Sequence, residues 1–295
     1  MSPNDDRPRR TKAAGDAGDP LRETRISGTQ VYAGALLDVR RDEILLPDGK
    51  HSVREYVVHP GAVLVVPERD DGTLVVERQF RYPLDRAFLE FPAGKLDVGE
   101  SALECARREL VEETGWTAVE WTHLGAIHPS IAYSTEAIEL YLARGMRHVG
   151  ARLDHGEFLE IVGLTEAALY DALDAGRLTD GKTVAALALY SRWCRAPTRA
   201  CTIAIAGSVQ GVGFREWMVS TARLEGIAGW VRNGRDGLVE AWLQGPREAC
   251  DRLIERCRRG PRAARVEAIV VAAVAPDPGI SGFERRYSPG GCGDR

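Results

Sequence analysis

The stretch from Gly94 to Trp116, GKLDVGESALECARRELVEETGW, constrains this chain more than any other. Pro92, Ala93 and Gly94 punctuate the backbone before it as a loop. Leu103, Ala106 and Leu110 then recur at helical spacing, and Thr114-Gly115 supplies a stop. Ser101, followed three residues later by Glu104, is a capping-box pair. The spacing predicts a helix over roughly Ser101 to Glu113. On it Glu109, Glu112 and Glu113 fall at i, i+3 and i+4, so three carboxylates share one face. Like charges at that spacing destabilise an isolated helix. Hard divalent cations such as Mg²⁺ or Mn²⁺ remove the objection, because they prefer carboxylate oxygens. Charge alone fits a solvated acidic face equally well.

At 295 residues the chain is long enough for two domains, each with its own core. A hydrophobic fraction of 44% with 28% charged residues is that of ordinary globular protein. Apolar runs such as Ile269 to Ala275 are too short to cross a bilayer. The six cysteines lack CxxC or zinc spacing, and are expected to be reduced thiols of a cytoplasmic protein. A net charge of −4 argues against general nucleic-acid binding. From Arg199 onward, 15 arginines and no lysine face 11 acidic residues, so this part is positive and the preceding part negative. That asymmetry points to two separate units.

Residues 1–22 carry charge, proline and glycine with little apolar content, and are expected to be a disordered tail. Strand patterns follow at Gln30–Leu37, Glu43–Leu46, Ser52–Val58, Ala62–Val66, Thr73–Arg78 and Phe88–Phe91. Beyond the helix, Glu120–Ile127 and Glu136–Ala143 read as strands, and Gly156–Val162 as strand or loop. Thr165–Gly176 and Thr183–Trp193 have helical periodicity. Residues 196–200 read as a linker, giving units over 23–195 and 201–288 and a flexible tail over 289–295.

Gly94, Glu100, Arg108, Glu109, Leu110, Glu112, Glu113, Gly115 and Trp116 match every fixed place of the Nudix box, so the first unit resembles a Nudix hydrolase. Outside the box, VERQFRYP (Val76–Pro83), LEFPAGKLDVGE (Leu89–Glu100), HPSIAYSTE (His128–Glu136) and GRLTDGKT (Gly176–Thr183) are similar to the ADP-ribose pyrophosphatase branch. Pro129 resembles the proline that accompanies this activity. The resemblance implies Mg²⁺ or Mn²⁺ held by Glu109, Glu112, Glu113 and the Ala93 carbonyl, with Glu100 hydrogen-bonding nearby. It implies substrate contacts from Arg54, Arg81 and Glu90, and stacking on Tyr32. The branch takes its general base from an acidic loop, which here reads Leu153-Asp-His-Gly-Glu157. Glu157 is favoured, and His155 stays open because its ordinary pKa suits neutral pH. The branch also implies a homodimer.

The second unit reads strand, loop, helix, strand, strand, helix, strand, the order of a ferredoxin-like β-α-β-β-α-β sandwich. Its glycine-rich Gly207–Gly213 lies between strand and helix, where backbone N–H groups face an anion. GSVQGVGFR, followed by GWVRNGRDGLVEAWLQG and RGPRAARVE, closely resembles an acylphosphatase. The resemblance implies that Arg215 and the loop Gln210, Gly211, Val212 and Gly213 bind phosphate, that Asn233 orients water, and that no metal is needed. Ser208 departs from the arginine that many relatives carry. The expected architecture is therefore α/β and α+β: a Nudix fold of mixed sheet and helices, followed by the sandwich. The expected activity is cleavage of a nucleoside-diphosphate sugar and of acyl phosphates, with a non-catalytic anion-binding C-terminal module as the alternative.

Overall fold

The computed structural model describes residues 18–150 and 158–287. Residues 1–17 of the tail expected over 1–22, the expected bases His155 and Glu157, and residues 288–295 lie outside the described residues.

Among the described residues the strands form three sheets. The first is a meander of β1 (Thr24–Ala33), β2 (Asp38–Leu45) and β3 (His51–Val58). Here the expected strand Gln30–Leu37 is corrected: Gly34 donates to the Leu37 carbonyl, so a turn ends β1 at Ala33. Every residue of β1 is exposed. The second sheet orders β10 (Leu159–Leu164), β5 (Leu74–Arg81) and β6 (Arg86–Glu90).

The third sheet has nine strands and runs through both units. Its first half holds β4 (Ala62–Pro67), β7 (Ala93–Lys95), β8 (Trp116–Ile127) and β9 (Ile138–His148). The unbroken apolar run of β4 is buried throughout, as a strand covered on both faces requires. On one face lies α1 (Ala102–Thr114), with Cys105, Ala106 and Leu110 packed against Val63, Val65 and Trp121. On the other lies α3 (Gly181–Arg195), whose Ala186, Leu187 and Tyr190 join Leu64, Val66 and Leu140, with α2 (Glu166–Asp174) beside it.

The second half is the ferredoxin-like sandwich: β11 (Thr198–Ser208), α4 (Phe214–Leu224), β12 (Ala228–Asn233), β13 (Val239–Pro246), α5 (Arg247–Arg259) and β14 (Arg265–Ala273). Strand order β12-β13-β11-β14 places both helices on one face, over a core of Phe214, Met218, Leu253 and Ile269. A short β15 (Phe283–Arg285) adds in parallel to β12.

The two halves meet edge to edge. Ile269–Ala272 of β14 pair in parallel with Glu120–His123 of β8. β11 begins at Thr198, within the segment read as linker, because Thr198 pairs with Pro246 and Arg199 with Gly245. Trp193 of α3 packs against the cores of both halves, and Arg199 stacks 3.7 Å over its ring. Among the described residues no helix is long and apolar enough to cross a membrane.

Two candidate active sites

The first site is built on α1. The capping box forms as the sequence predicts: Ser101 Oγ accepts from the Glu104 amide at 3.3 Å, and the Ser101 amide donates to Glu104 Oε2 at 2.9 Å. Gly115 ends the helix in the left-handed conformation at φ 72°. This fixes the rotation of the helix, and the glutamate face turns toward β7. The Ala93 amide donates to Glu113 Oε2 at 3.0 Å. A Cβ on Gly94 would lie 1.8 Å from Glu109 Oε1, so only glycine lets this carboxylate approach the strand.

Arg108 is the internal counter-charge of the face. Its Nη1 donates to Glu109 Oε1 at 2.8 Å and to Glu112 Oε2 at 2.9 Å. Its Nε and Nη2 grip Glu100 at 3.0 and 2.9 Å, and Nη2 also reaches the Lys95 carbonyl at 3.1 Å. The Arg108 hydrogen bond holds the Glu100 carboxyl down at about 2, and the same pairing raises the Arg108 pKa. Among the described residues no three His, Cys, Asp or Glu side chains stand converged as a ready metal cage. The donor chemistry nevertheless fits a hard divalent ion: three carboxylates, of which Glu113 is buried and Glu109 nearly so.

Ahead of β7 in the chain, Arg81 at the end of β5 grips Glu90 at the end of β6 through two hydrogen bonds of 2.7 Å. Lys182 also pairs with Glu90, and reaches Asp180 at 2.9 Å. Asp180 caps α3 through the Thr183 amide at 3.0 Å, and Thr183 Oγ1 accepts from the Phe91 amide at 3.0 Å. Burial pushes the Glu90 carboxyl up, but the two cations more than offset this and hold it below the usual range.

The second site lies where β11 passes into α4. Gly211 and Gly213 take positive φ, 72° and 79°, so the loop curls back over the first turn of α4. A cleft of about 230 Å³ opens there, lined by the loop with Arg215, Asn233 and Arg285. Asn233 closes β12, and its Oδ1 is buried with no hydrogen-bond partner among the described residues.

Residues 58–187 match the NUDIX domain model, residues 23–57 the nucleoside diphosphate sugar hydrolase N-terminal domain, and residues 201–285 the acylphosphatase model. The chain is 37% identical over 169 residues to an ADP-ribose pyrophosphatase of Bacillus subtilis, covering 57% of this chain and 91% of that one. The chain belongs to the Nudix hydrolases. An acylphosphatase of Rhodopseudomonas palustris is 53% identical over 75 residues, covering 25% of this chain and 76% of that one. A crystal structure described as an ADP compounds hydrolase superposes with a TM-score of 0.54 at 27% identity, covering 59% of this chain and 94% of that one. This Nudix hydrolase thus carries an acylphosphatase domain at its C-terminal side, and both halves are of hydrolase families that act on anhydride bonds.

In the Nudix hydrolase Glu113 accepts from the Ala93 amide, Glu109 and Glu112 share Arg108, and Arg81 is separately paired with Glu90. Arg54 is not in that cluster: it sits on β3 of the exposed sheet and hydrogen-bonds Glu23, Ser52 and Val53. Tyr32, on β1 of the same sheet, is exposed. In the acylphosphatase domain Gln210 turns its amide to the Leu238 carbonyl at 2.7 Å, tying the loop to the hairpin, and Val212 packs on the core. Sequence reasoning missed Lys182, although Asp180-Gly181-Lys182 at a helix start was visible, and it missed Arg285 entirely.

Proposed function

We propose that this chain is a bifunctional hydrolase. Its Nudix domain cleaves the pyrophosphate bond of ADP-ribose, or of a related nucleoside-diphosphate sugar, to AMP and ribose 5-phosphate. Its C-terminal domain hydrolyses acyl phosphates without metal. One observation carries the reading: each half keeps its own polar apparatus, carboxylates with Arg108 in the first and Arg215 with Asn233 in one cleft in the second.

In the first domain Glu109, Glu112 and Glu113, with the Ala93 carbonyl, would hold Mg²⁺ or Mn²⁺. Bound there, the ion supplies neutralisation of the pyrophosphate and activation of a water. Arg108 places the Glu109 and Glu112 carboxylates and offsets the negative charge of the face. Arg81 and Glu90 recognise the substrate, and Glu157 serves as general base. The exposed apolar residues of the first sheet, Ile26, Val31 and Tyr32 among them, support a homodimer formed through the Nudix domain. The free thiols of Cys105, Cys194, Cys201, Cys250 and Cys257 support a cytoplasmic setting.

In the second domain Arg215 and the loop amides bind the phosphoryl group, and Asn233 Oδ1 accepts a hydrogen bond from the attacking water. The water oxygen bonds to phosphorus and the bond from phosphorus to the acyl oxygen breaks. The carboxylate leaves with that bond's electron pair, and the water's proton passes to solvent. The test is product analysis across a panel of nucleoside-diphosphate derivatives with Mg²⁺. Release of AMP and ribose 5-phosphate from ADP-ribose is expected; an inert panel would remove the Nudix half of the proposal.

A further inference from the structure

The cleft over Arg215 carries a second guanidinium that neither family motif requires. Side chains alternate across a strand, and β15 shows it: Phe283 is buried in the core beneath α4, while Glu284 lies opposite Trp230 on β12. Arg285 therefore shares the face of Phe283, opposite Val231 in register and two residues short of Asn233 along β12. This places it in the wall of the 230 Å³ cleft with Arg215 and Asn233.

The neighbouring arginines are neutralised. Arg286 donates to Glu284 at 2.7 Å and lies over the Trp230 ring, and Arg232 pairs with Glu240 at 2.8 Å. Arg285 has no ion pair or hydrogen bond from its side chain among the described residues. Glu216, exposed on the same rim, forms no ion pair with it. Among the described residues the cleft thus holds two cationic side chains and one acidic one. Arg215, beside the glycine loop, is placed for the phosphoryl group, and a small phosphoryl group does not need both.

We propose that Arg285 is a specificity-determining residue of the acylphosphatase domain, selecting acyl phosphates whose acyl group bears a second negative charge. This inference rests on the acylphosphatase reading of the same cleft. A guanidinium facing a carboxylate gains charge-assisted hydrogen bonds, whereas a neutral acyl chain leaves it in water at no benefit.

The test uses a matched pair of equal chain length, succinyl phosphate and butyryl phosphate, with the full-length protein. Wild type is expected to favour succinyl phosphate in kcat/KM. Arg285→Gln should cut kcat/KM for succinyl phosphate about five- to tenfold more than for butyryl phosphate, the modest size reflecting solvent exposure. Arg285→Lys should keep most of the preference, and 0.5 M salt should shrink it in the wild type. An equal loss on both substrates would mean that Arg285 serves the phosphoryl group and would overturn the inference, as would an unchanged ratio. A wild-type chain inert toward both would sink the acylphosphatase reading and this inference with it; an active enzyme with an unchanged ratio sinks this inference alone.

Discussion

Arg258 is the point at which the two halves can be pried apart. It stands on α5 of the acylphosphatase domain and grips Glu120 of the Nudix strand β8 through Nε at 3.1 Å and Nη2 at 3.0 Å. Glu120 is 3% exposed, and its other cation, Arg144, is 3.9 Å away and already bound to Glu68 at 2.8 Å. Arg258→Met keeps most of the stem packing and removes the charge. Breaking a buried pair by deleting one partner costs about 3–5 kcal/mol. Arg144 remains, and Glu120, Arg144 and Arg258 line a cleft of about 600 Å³ that admits water, so about 2–3 kcal/mol is expected. At about 2–4 °C per kcal/mol for a chain of this size, Tm should fall by about 4–12 °C. Thermal unfolding by calorimetry is the assay, with both hydrolytic activities followed on the same heated samples. One transition, lowered in the variant, with both activities lost together, is expected, because four residue pairs of sheet also join β14 to β8. A Tm shift below about 1 °C, or two separate transitions in the wild type, would refute the reasoning. A chain ending near Pro197 would bare the β8 edge as well as Glu120, and should be less stable than the intact protein.

Two further outcomes follow from the Nudix site. Glu113→Gln keeps an acceptor for the Ala93 amide but removes a ligand charge, so ADP-ribose turnover should fall by orders of magnitude while Tm barely moves; near-wild-type turnover at saturating Mg²⁺ would mean that α1 is not the site. Glu157→Gln should lower turnover far more than His155→Ala, and pH–rate profiles of the two variants distinguish the carboxylate from the imidazole as base; loss of activity in His155→Ala alone would reverse the assignment.

What could be read from the sequence was local. The α1 helix depends on interactions closed within about one turn, Ser101 with Glu104 and Gly115 with Val111, so spacing sufficed to place it. That Glu109 packs so tightly on Gly94 that no Cβ would fit there could not be read from the spacing. The ferredoxin-like order followed from alternating strand and helix patterns. What escaped was non-local. Lys182 meets Glu90 across 92 residues of chain, and nothing in either stretch announces the partner. Composition marked 196–200 as linker, yet pairing with β13 made most of it strand. The fusion of the two sheets is an edge-to-edge contact between β8 and β14, each of which reads alone as an ordinary strand. Nothing in the sequence singled out Arg285, whose register with Val231 places it in the cleft wall.

The central claim is that two chemically different anhydride hydrolases share this chain, one acting through carboxylates and a divalent ion, the other through Arg215 and backbone amides. The most direct measurement follows ADP-ribose and benzoyl phosphate cleavage by the same purified protein, with and without EDTA, in wild type and Arg215→Ala. EDTA should abolish ADP-ribose cleavage and spare benzoyl phosphate hydrolysis, and Arg215→Ala should do the reverse, because Arg215 beside the glycine loop supplies the charge-assisted hydrogen bonds that hold the phosphoryl group. Loss of both reactions on adding EDTA, or a wild-type chain that never cleaves benzoyl phosphate, would contradict the account and leave the C-terminal domain as a non-catalytic anion-binding module.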